Sequence, residues 1–329
     1  MNTVTASTRR KANTLSWLIR REYWENRGGF LWAPLTSAII TLLLMMLLSL
    51  FGTVHFQTAV RHDAGINVSG NLTGNLPGSG ALGDVLLWMG IAPIAIALTF
   101  AVFFYALGSL YDDRRDRSIL FWKSLPISDT EMVVAKVICA LILAPLISLI
   151  IALLLGFCMW LIAGLVVLIN GVGTPQSLFV NSHPLQIILK LVCALPVQIA
   201  WAFPTIGWLM FCSAWSRSIP FTWAAMIPIL SCVVISMMGI LPGVSIPSTK
   251  IWYTVVFRGL LSIVPGSWML KDNTAVAADV LPSANNLISY ADVFDSWRIF
   301  ATLDLWLGVI TGLVFIAAAI YFRRWRDEG

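Results

Sequence analysis

The residues best able to do chemistry in this sequence lie in one short segment, 111–126, where mixed charges lead into an apolar stretch. The apolar part, Ile119 to Leu125, is too short to span a membrane and too apolar to remain in water, and Pro126 ends it. An aromatic anchor ringed by charges is typical of a protein–protein contact. A tryptophan with a basic flank also suits the lipid interface, so both interpretations stay open at this point.

Patterns typical of catalysis or metal binding are missing elsewhere. Asp84 and Asp112 could suggest a carboxylate pair, but the topology below places them at opposite membrane faces. The sequence has no Gly-x-Ser-x-Gly or His-Glu-x-x-His motif, and no Gly-rich loop ending in Gly-Lys-Ser/Thr that could hold nucleotide phosphates. We therefore predict no catalytic residue and no metal site, and we expect that the chain does not hydrolyse ATP by itself. An intramembrane enzyme remains the weakest alternative.

The elements that must position the charged segment are membrane helices. Of the 329 residues 58% are hydrophobic and 11% are charged, more apolar surface than a soluble domain can bury. The sequence predicts an all-α integral membrane protein with six transmembrane helices in one domain, 1–329. The predicted segments are an interfacial helix (13–28), span 1 (30–54), an outer Gly-rich loop (55–81), span 2 (82–110), a cytoplasmic loop (111–131), span 3 with an outer extension (132–169), span 4 (185–212), span 5 (221–241), an outer loop (242–302) and span 6 (303–322).

Charge decides the number of spans, since hydrophobicity alone leaves it between six and eight. With six spans, the basic N-terminal segment, the 111–131 loop and the terminal Arg323, Arg324 and Arg326 share one side, which the positive-inside rule assigns to the cytoplasm. Both termini are then cytoplasmic. In the outer segment 251–270, Thr254, Arg258 and Ser262 would form a polar stripe on an interfacial or re-entrant helix.

The N-terminal segment predicts an amphipathic helix lying on the cytoplasmic membrane surface. Leu15, Leu18, Ile19 and Tyr23 share one face, and Trp24 would anchor the helix among lipid headgroups. Glu22 interrupts the apolar face and weakens this prediction. An ion-coupled secondary transporter is an alternative for the whole chain, but it usually needs a titratable group at mid-membrane depth, and the predicted spans have none there.

Three runs of residues resemble the permease subunits of bacterial type-2 ABC exporters: 20–34 (RREYWENRGGFLWAP), 110–126 (LYDDRRDRSILFWKSLP) and 323–328 (RRWRDE). The resemblance covers essentially the whole chain. It implies a bacterial inner-membrane protein that pairs with a second permease copy, identical or related, and with two copies of a separate ATPase that binds ATP and Mg²⁺. It implies no nucleic-acid partner.

The resemblance also implies roles for residues. The 111–131 loop would act as the ATPase-coupling segment, and its residues would be Arg114, Arg115, Asp116, Arg117, Ile119, Leu120, Phe121, Trp122 and Lys123. A translocation path between two copies would be lined by spans 2 and 5, which offer Trp88, Met89, Phe100, Phe103, Phe104, Met226, Met237 and Met238. Helix packing or lipid contact is the commoner role of such side chains. The cargo stays open.

Overall fold

The apolar runs of the sequence fold into helices, and the described residues contain no strand. A computed structural model of the chain describes residues 2–62, 87, 90–116, 128–170, 184–239, 247–268 and 295–326. The α-helices are α1 (Asn2–Glu25), α2 (Ala33–His62), α3 (Ile91–Gly108), α4 (Tyr111–Arg115), α5 (Asp129–Ile138), α6 (Ala144–Asn170), α7 (Pro184–Trp215), α8 (Ile227–Met238), α9 (Ser248–Trp252) and α10 (Leu303–Arg326).

Five helical stretches among the described residues are long and apolar enough to cross a membrane, which indicates a multi-pass membrane protein. They are Gly28–Phe51, Ile91–Arg115, Asp129–Val166, Pro184–Trp215 and Leu303–Trp325. The predicted fifth span corresponds to a shorter apolar helix, Thr222–Met238. At 1.5 Å per residue it is about 26 Å long, less than the roughly 30 Å of a hydrocarbon core. Helix length therefore establishes five candidate spans, and the sixth stays a prediction.

Prolines explain three local widenings of these helices. The π-helical turns Gly28–Trp32, Cys139–Leu143 and Thr222–Met226 each end two residues before a proline. A proline has no N–H, and its ring clashes with the carbonyl four residues back, so a wider preceding turn relieves the clash. At Pro228 the carbonyl four residues back belongs to Ala224, and it accepts a hydrogen bond from Trp208 Nε1 at 3.0 Å. The indole N–H thereby gives the Ala224 carbonyl a donor in place of the N–H that Pro228 lacks.

Helices α7 and α10 pack closely against each other, and two glycines allow the approach. A Cβ at Gly207 would collide with the backbone of Gly312, and a Cβ at Gly312 would collide with the carbonyl of Phe203. Small residues at such a crossing let two backbones approach, which strengthens dispersion contacts where the hydrophobic effect is weak. The main buried cluster surrounds this crossing and includes Ile206, Leu209, Ile316 and Ala319.

The segment 247–268 is packed into the bundle, which corrects the surface stripe predicted from the sequence. Arg258 is 5% exposed and Ser262 is fully buried, while Thr254 is exposed. The stripe does not form because the helix ends at Arg258 and the chain turns. Gln198 Nε2 on α7 then donates to the carbonyl of Ile263 at 3.1 Å, and the Ile263 side chain joins the main core cluster.

Candidate functional site

Buried charges meet at one end of the bundle and join four helical segments. Lys136 Nζ on α5 lies 3.0 Å from Glu22 Oε1 on α1 and 3.4 Å from Asp113 Oδ2 on α4. Arg323 of α10 reaches Asp113 Oδ2 and Asp129 Oδ1, each at 3.3 Å. The side chains of Glu22, Lys136 and Arg323 are at most 4% exposed. We call these five residues the charge cluster.

A helix cap and a tyrosine help to position Lys136 and Glu22 of the cluster. Ser128 caps α5 by accepting a hydrogen bond from the Glu131 N–H at 3.2 Å, as the Ser128–Glu131 spacing predicts. Lys136 then falls two turns into α5. From α3, the Tyr105 hydroxyl donates to Glu22 Oε2 at 3.1 Å, so both oxygens of the Glu22 carboxylate have a partner. Buried charges at this density need such pairing to be tolerated.

The cluster changes the interpretation of the N-terminal helix. Leu18 is 1% exposed and packs with Met132 and Ala135 of α5, so much of the apolar face predicted to lie on lipid contacts protein instead. Leu15 and Ile19 pack against the same small cluster, and Ile19 and Tyr23 also pack against the main core. Trp24 is 55% exposed, with the guanidinium of Arg27 above its ring at 5.9 Å. Glu22, which interrupts the apolar face in the sequence, is the residue that α1 contributes to the cluster.

Arg114 fixes the end of α7 to the start of the predicted coupling loop. Its guanidinium donates to the carbonyls of Ser213 and, at 3.1 Å, Ser216. The Ser213 hydroxyl in turn accepts from the N–H groups of Leu110 and Tyr111 at 3.1 and 3.0 Å. A cation on the last carbonyls of a helix is also favoured by the helix dipole. Arg115 and Asp116 are exposed.

A cleft of about 710 Å³ lies beside the charge cluster, between α1 and α3. Phe100 and Phe104, two of the predicted path residues, line its apolar side, where they are 60% and 58% exposed. Asp112 and Asp116 line its polar side. One side of the cleft, its aromatic wall, is therefore formed by Phe100 and Phe104, and the other side, its acidic floor, by Asp112 and Asp116.

The other predicted path and coupling residues have mixed outcomes. Phe103 packs against Phe104 and against Phe221, with ring centroids 5.5 and 6.4 Å apart, so span 2 does touch the start of the predicted span 5. The methionines of that span are exposed, at 44%, 63% and 50% for Met226, Met237 and Met238. The predicted residues that lie outside the described part of the chain are Trp88, Met89, Arg117, Ile119, Leu120, Phe121, Trp122 and Lys123.

A second buried polar site lies near the other end of α10. The Arg258 guanidinium stands 3.7 Å above the Trp201 ring and donates to the Trp201 carbonyl at 2.7 Å and to the Asp304 carbonyl at 3.3 Å. Tyr253 donates to Asp304 Oδ2 at 2.6 Å. Burial lowers the pKa of Arg258 from its ordinary value, and the nearby Asp304 carboxylate and Tyr253 oppose this shift.

Sequence reasoning missed both buried sites as groups. Lys136 lies near the start of the predicted span 3, where nothing in the sequence indicates its partners, and Arg258 is predicted to lie on a surface stripe. The available signal was a charge at a position that helical periodicity assigns to an apolar face, as at Glu22. The partners could not be named, because each lies far away in the sequence.

The comparisons with known proteins leave the family open. Among the described residues, no group of histidine, cysteine, aspartate and glutamate side chains is arranged to hold a metal ion. Comparisons with protein-family models, with curated proteins and with solved structures found no match to this chain.

Proposed function

We propose that this chain is the membrane-spanning permease subunit of a type-2 ABC exporter in a bacterial cytoplasmic membrane. The proposal starts from the resemblance of residues 20–34, 110–126 and 323–328 to such subunits. Two copies of the chain, or one copy with a related permease, would enclose the translocation path. Two copies of a separate ATPase would supply the energy, because the sequence has no loop of its own for nucleotide phosphates.

The charge cluster is the observation that best supports this function. Asp113 and Asp129 lie on the two sides of the 117–127 stretch, and both bind Arg323. Lys136 extends the same cluster to α1 through Glu22. A force applied to the loop would therefore reach α1, α5 and α10 together, since separating any of them leaves a buried charge without its partner. A loop that transmits movement from an ATPase to the membrane helices must be attached to several of those helices, and the charge cluster would provide that attachment.

Exposed apolar surface supports the second copy. On α3, Ile96, Phe100 and Phe104 follow one another at i, i+4 and i+8 and are each about 60% exposed. Met237 and Met238 on α8 are also exposed, at 63% and 50%. Lipid covers part of such a surface, and a second permease copy would cover the rest. The path would run between the two copies.

The function is tested by asking whether an ATPase accompanies the chain. The tagged full-length protein is purified from its native membrane in mild detergent, and ATP-binding partners are labelled with a photoreactive ATP analogue. We expect one ATP-binding polypeptide to copurify in equal amount. Phe121→Ala with Trp122→Ala should lower its recovery at least about tenfold, because these side chains would anchor the contact.

The matched control is Trp306→Ala, since Trp306 is 52% exposed at the end of α10 remote from the charge cluster. It should leave recovery of the ATPase unchanged. The proposal fails if no ATP-binding polypeptide copurifies with the unmodified chain. It also fails if the double variant retains the ATPase and shows unchanged substrate-stimulated hydrolysis after reconstitution.

A further inference from the structure

The cleft beside the charge cluster combines apolar and charged walls, and one of its carboxylates, Asp112, has no role in the proposed function. It is bounded by α1, by the π-helical turn Gly28–Trp32 and by α3, and its volume is about 710 Å³. That volume is within the range of small-molecule sites. One side of the cleft is apolar and the other is charged, so a ligand that fits it must be amphipathic.

The charged side is acidic. Five carboxylates and two cations line the cleft, giving it a formal charge of −3 in a chain whose net charge is +5. Lys136 is held by Glu22 and Asp113, and Arg21 binds Glu25 through two contacts of 2.6 and 3.1 Å. Within the described residues, no ion pair takes up Asp112 or Asp116. These two carboxylates are the acceptors that the cleft offers to a ligand.

Gly108 leaves room for one of these acceptors. A Cβ added at Gly108 would stand 2.5 Å from Asp112 Oδ2, so the carboxylate folds back over the end of α3 at a place where only glycine leaves space. The space at Gly108 therefore keeps the Asp112 carboxylate beside Ser109 and the cleft. Asp116 follows four residues later and also lines the cleft. Two like charges at that spacing repel each other, and a cation between them removes the repulsion.

The apolar side is aromatic and open to the flank of the bundle. Phe100 and Phe104 stack with their ring centroids 6.5 Å apart, and Ala97 and Ala101 leave a groove beside them. Aromatic faces attract ammonium groups, and the groove can hold a hydrocarbon chain. Ile96, which is 60% exposed, continues the same face toward the middle of α3. A ligand could thus lie with its head in the cleft and its tail along the helix.

We propose that this cleft is a binding site for a phospholipid with an ammonium headgroup, such as phosphatidylethanolamine. The ammonium group lies between Asp112 and Asp116, and one acyl chain follows Phe100 and Phe104. An anionic lipid without an ammonium group would bring its phosphate to a negative floor. A soluble amine would leave the aromatic wall exposed. The inference requires only that the helices lie in a membrane, and not that the chain is a transporter.

Native mass spectrometry of the full-length chain, delipidated in detergent, tests this site. The probes are phosphatidylethanolamine and phosphatidylglycerol with identical acyl chains, and free ethanolamine. We expect at least one site that prefers phosphatidylethanolamine over phosphatidylglycerol about tenfold. Asp112→Asn with Asp116→Asn should reduce that preference to less than about twofold, since the attraction for the ammonium group is lost.

Glu131→Gln is the matched control, because Glu131 lies at the same end of the bundle but does not line the cleft. It should keep the tenfold preference. Phe100→Ala with Phe104→Ala should weaken phosphatidylethanolamine binding about fivefold or more. These two side chains are largely exposed, so their loss should not impair folding, and circular dichroism checks that point.

Four results would overturn the proposal. The first is equal binding of the two lipids by the unmodified chain, and the second is an unchanged preference in the Asp112/Asp116 variant. The third is binding of free ethanolamine as tight as that of the lipid, which would remove any role for the aromatic wall. Loss of lipid binding on dimerisation would instead identify a second copy as the occupant and would equally refute a lipid site. None of these outcomes depends on whether an ATPase copurifies.

Discussion

Replacing Lys136 by methionine gives the sharpest test of the charge cluster. Methionine keeps most of the side-chain volume and removes only the charge that lies between Glu22 and Asp113. Asp113 retains Arg323 as a partner, but Glu22, at 3% exposure, retains only the Tyr105 hydroxyl. Breaking a buried ion pair by removing one partner costs about 3–5 kcal/mol. Against a typical total stability of about 5–15 kcal/mol, that loss is large.

The assay is equilibrium unfolding of the purified chain in mixed micelles of increasing SDS fraction, followed by tryptophan fluorescence and circular dichroism. Glu25→Gln is the control, because the Arg21–Glu25 pair is a surface i, i+4 contact with Glu25 half exposed, and its loss should cost only about 0.3–0.5 kcal/mol. Lys136→Met should lower the free energy of unfolding several times more than this control.

A double variant separates a charge effect from a packing effect. Glu22→Gln in the Lys136→Met background removes the unpaired charge and can keep the hydrogen bond from Tyr105. The double variant should therefore be more stable than Lys136→Met alone, with a coupling energy of about 1–3 kcal/mol. Strictly additive losses would refute the reasoning, as would a loss in Lys136→Met no larger than in the Glu25→Gln control.

Two further changes test the packing of the bundle. Gly312→Ala should destabilise the protein by about 1–3 kcal/mol, because the added Cβ would force α7 and α10 apart, whereas Gly28→Ala meets no atom within 4 Å and should be neutral; unfolding in SDS compares the two. Arg258→Met should cost more than about 2 kcal/mol, because it removes the charged hydrogen bonds and the cation–π contact that hold 247–268 against α7. The same change should speed tryptic cleavage after Lys250, and a cleavage rate like that of the unmodified chain would contradict the role assigned to Arg258.

The apolar helices and the N-terminal end of α5 could be predicted from the sequence because they depend on local properties. The apolar runs that became α2, α3, α6, α7 and α10 are visible as hydropathy alone. Ser128 and Glu131 stand at capping-box spacing, and the Ser128 hydroxyl does cap α5. The π-helical turns could not be located in this way, since Pro196 and Pro204 interrupt an apolar run as Pro34, Pro145 and Pro228 do, yet both lie within the α-helix α7.

The buried charges could not be predicted because their meaning depends on distant partners. In the sequence, Glu22 only interrupts an apolar helix face. Its role becomes clear in the structure, where Lys136, more than a hundred residues later in the chain, lies beside it. Arg258 is a surface residue on helical periodicity alone, and it becomes a buried one because Trp201 and Gly308 leave a space for its guanidinium. In each case the cost of burying a charge is met by a residue on another helix.

The two buried sites together also bear on how the chain lies in a membrane. Asp304 and Arg323 belong to the same helix, nineteen residues apart, which corresponds to about 28 Å along the axis. That distance is close to the thickness of a hydrocarbon core, so each polar site would lie near one membrane boundary. The Arg258 site would then hold 247–268 at one boundary while the charge cluster holds both sides of the 117–127 stretch at the other. Helix α10 contributes a residue to both sites. If a displacement of the loop moves Arg323 along the helix axis, Asp304 must move by a similar amount or buried ion pairs must break. Breaking them would cost several kcal/mol of stability. Rigid movement of α10 is the less costly of the two, and it would carry a movement of the loop to the opposite side of the bundle.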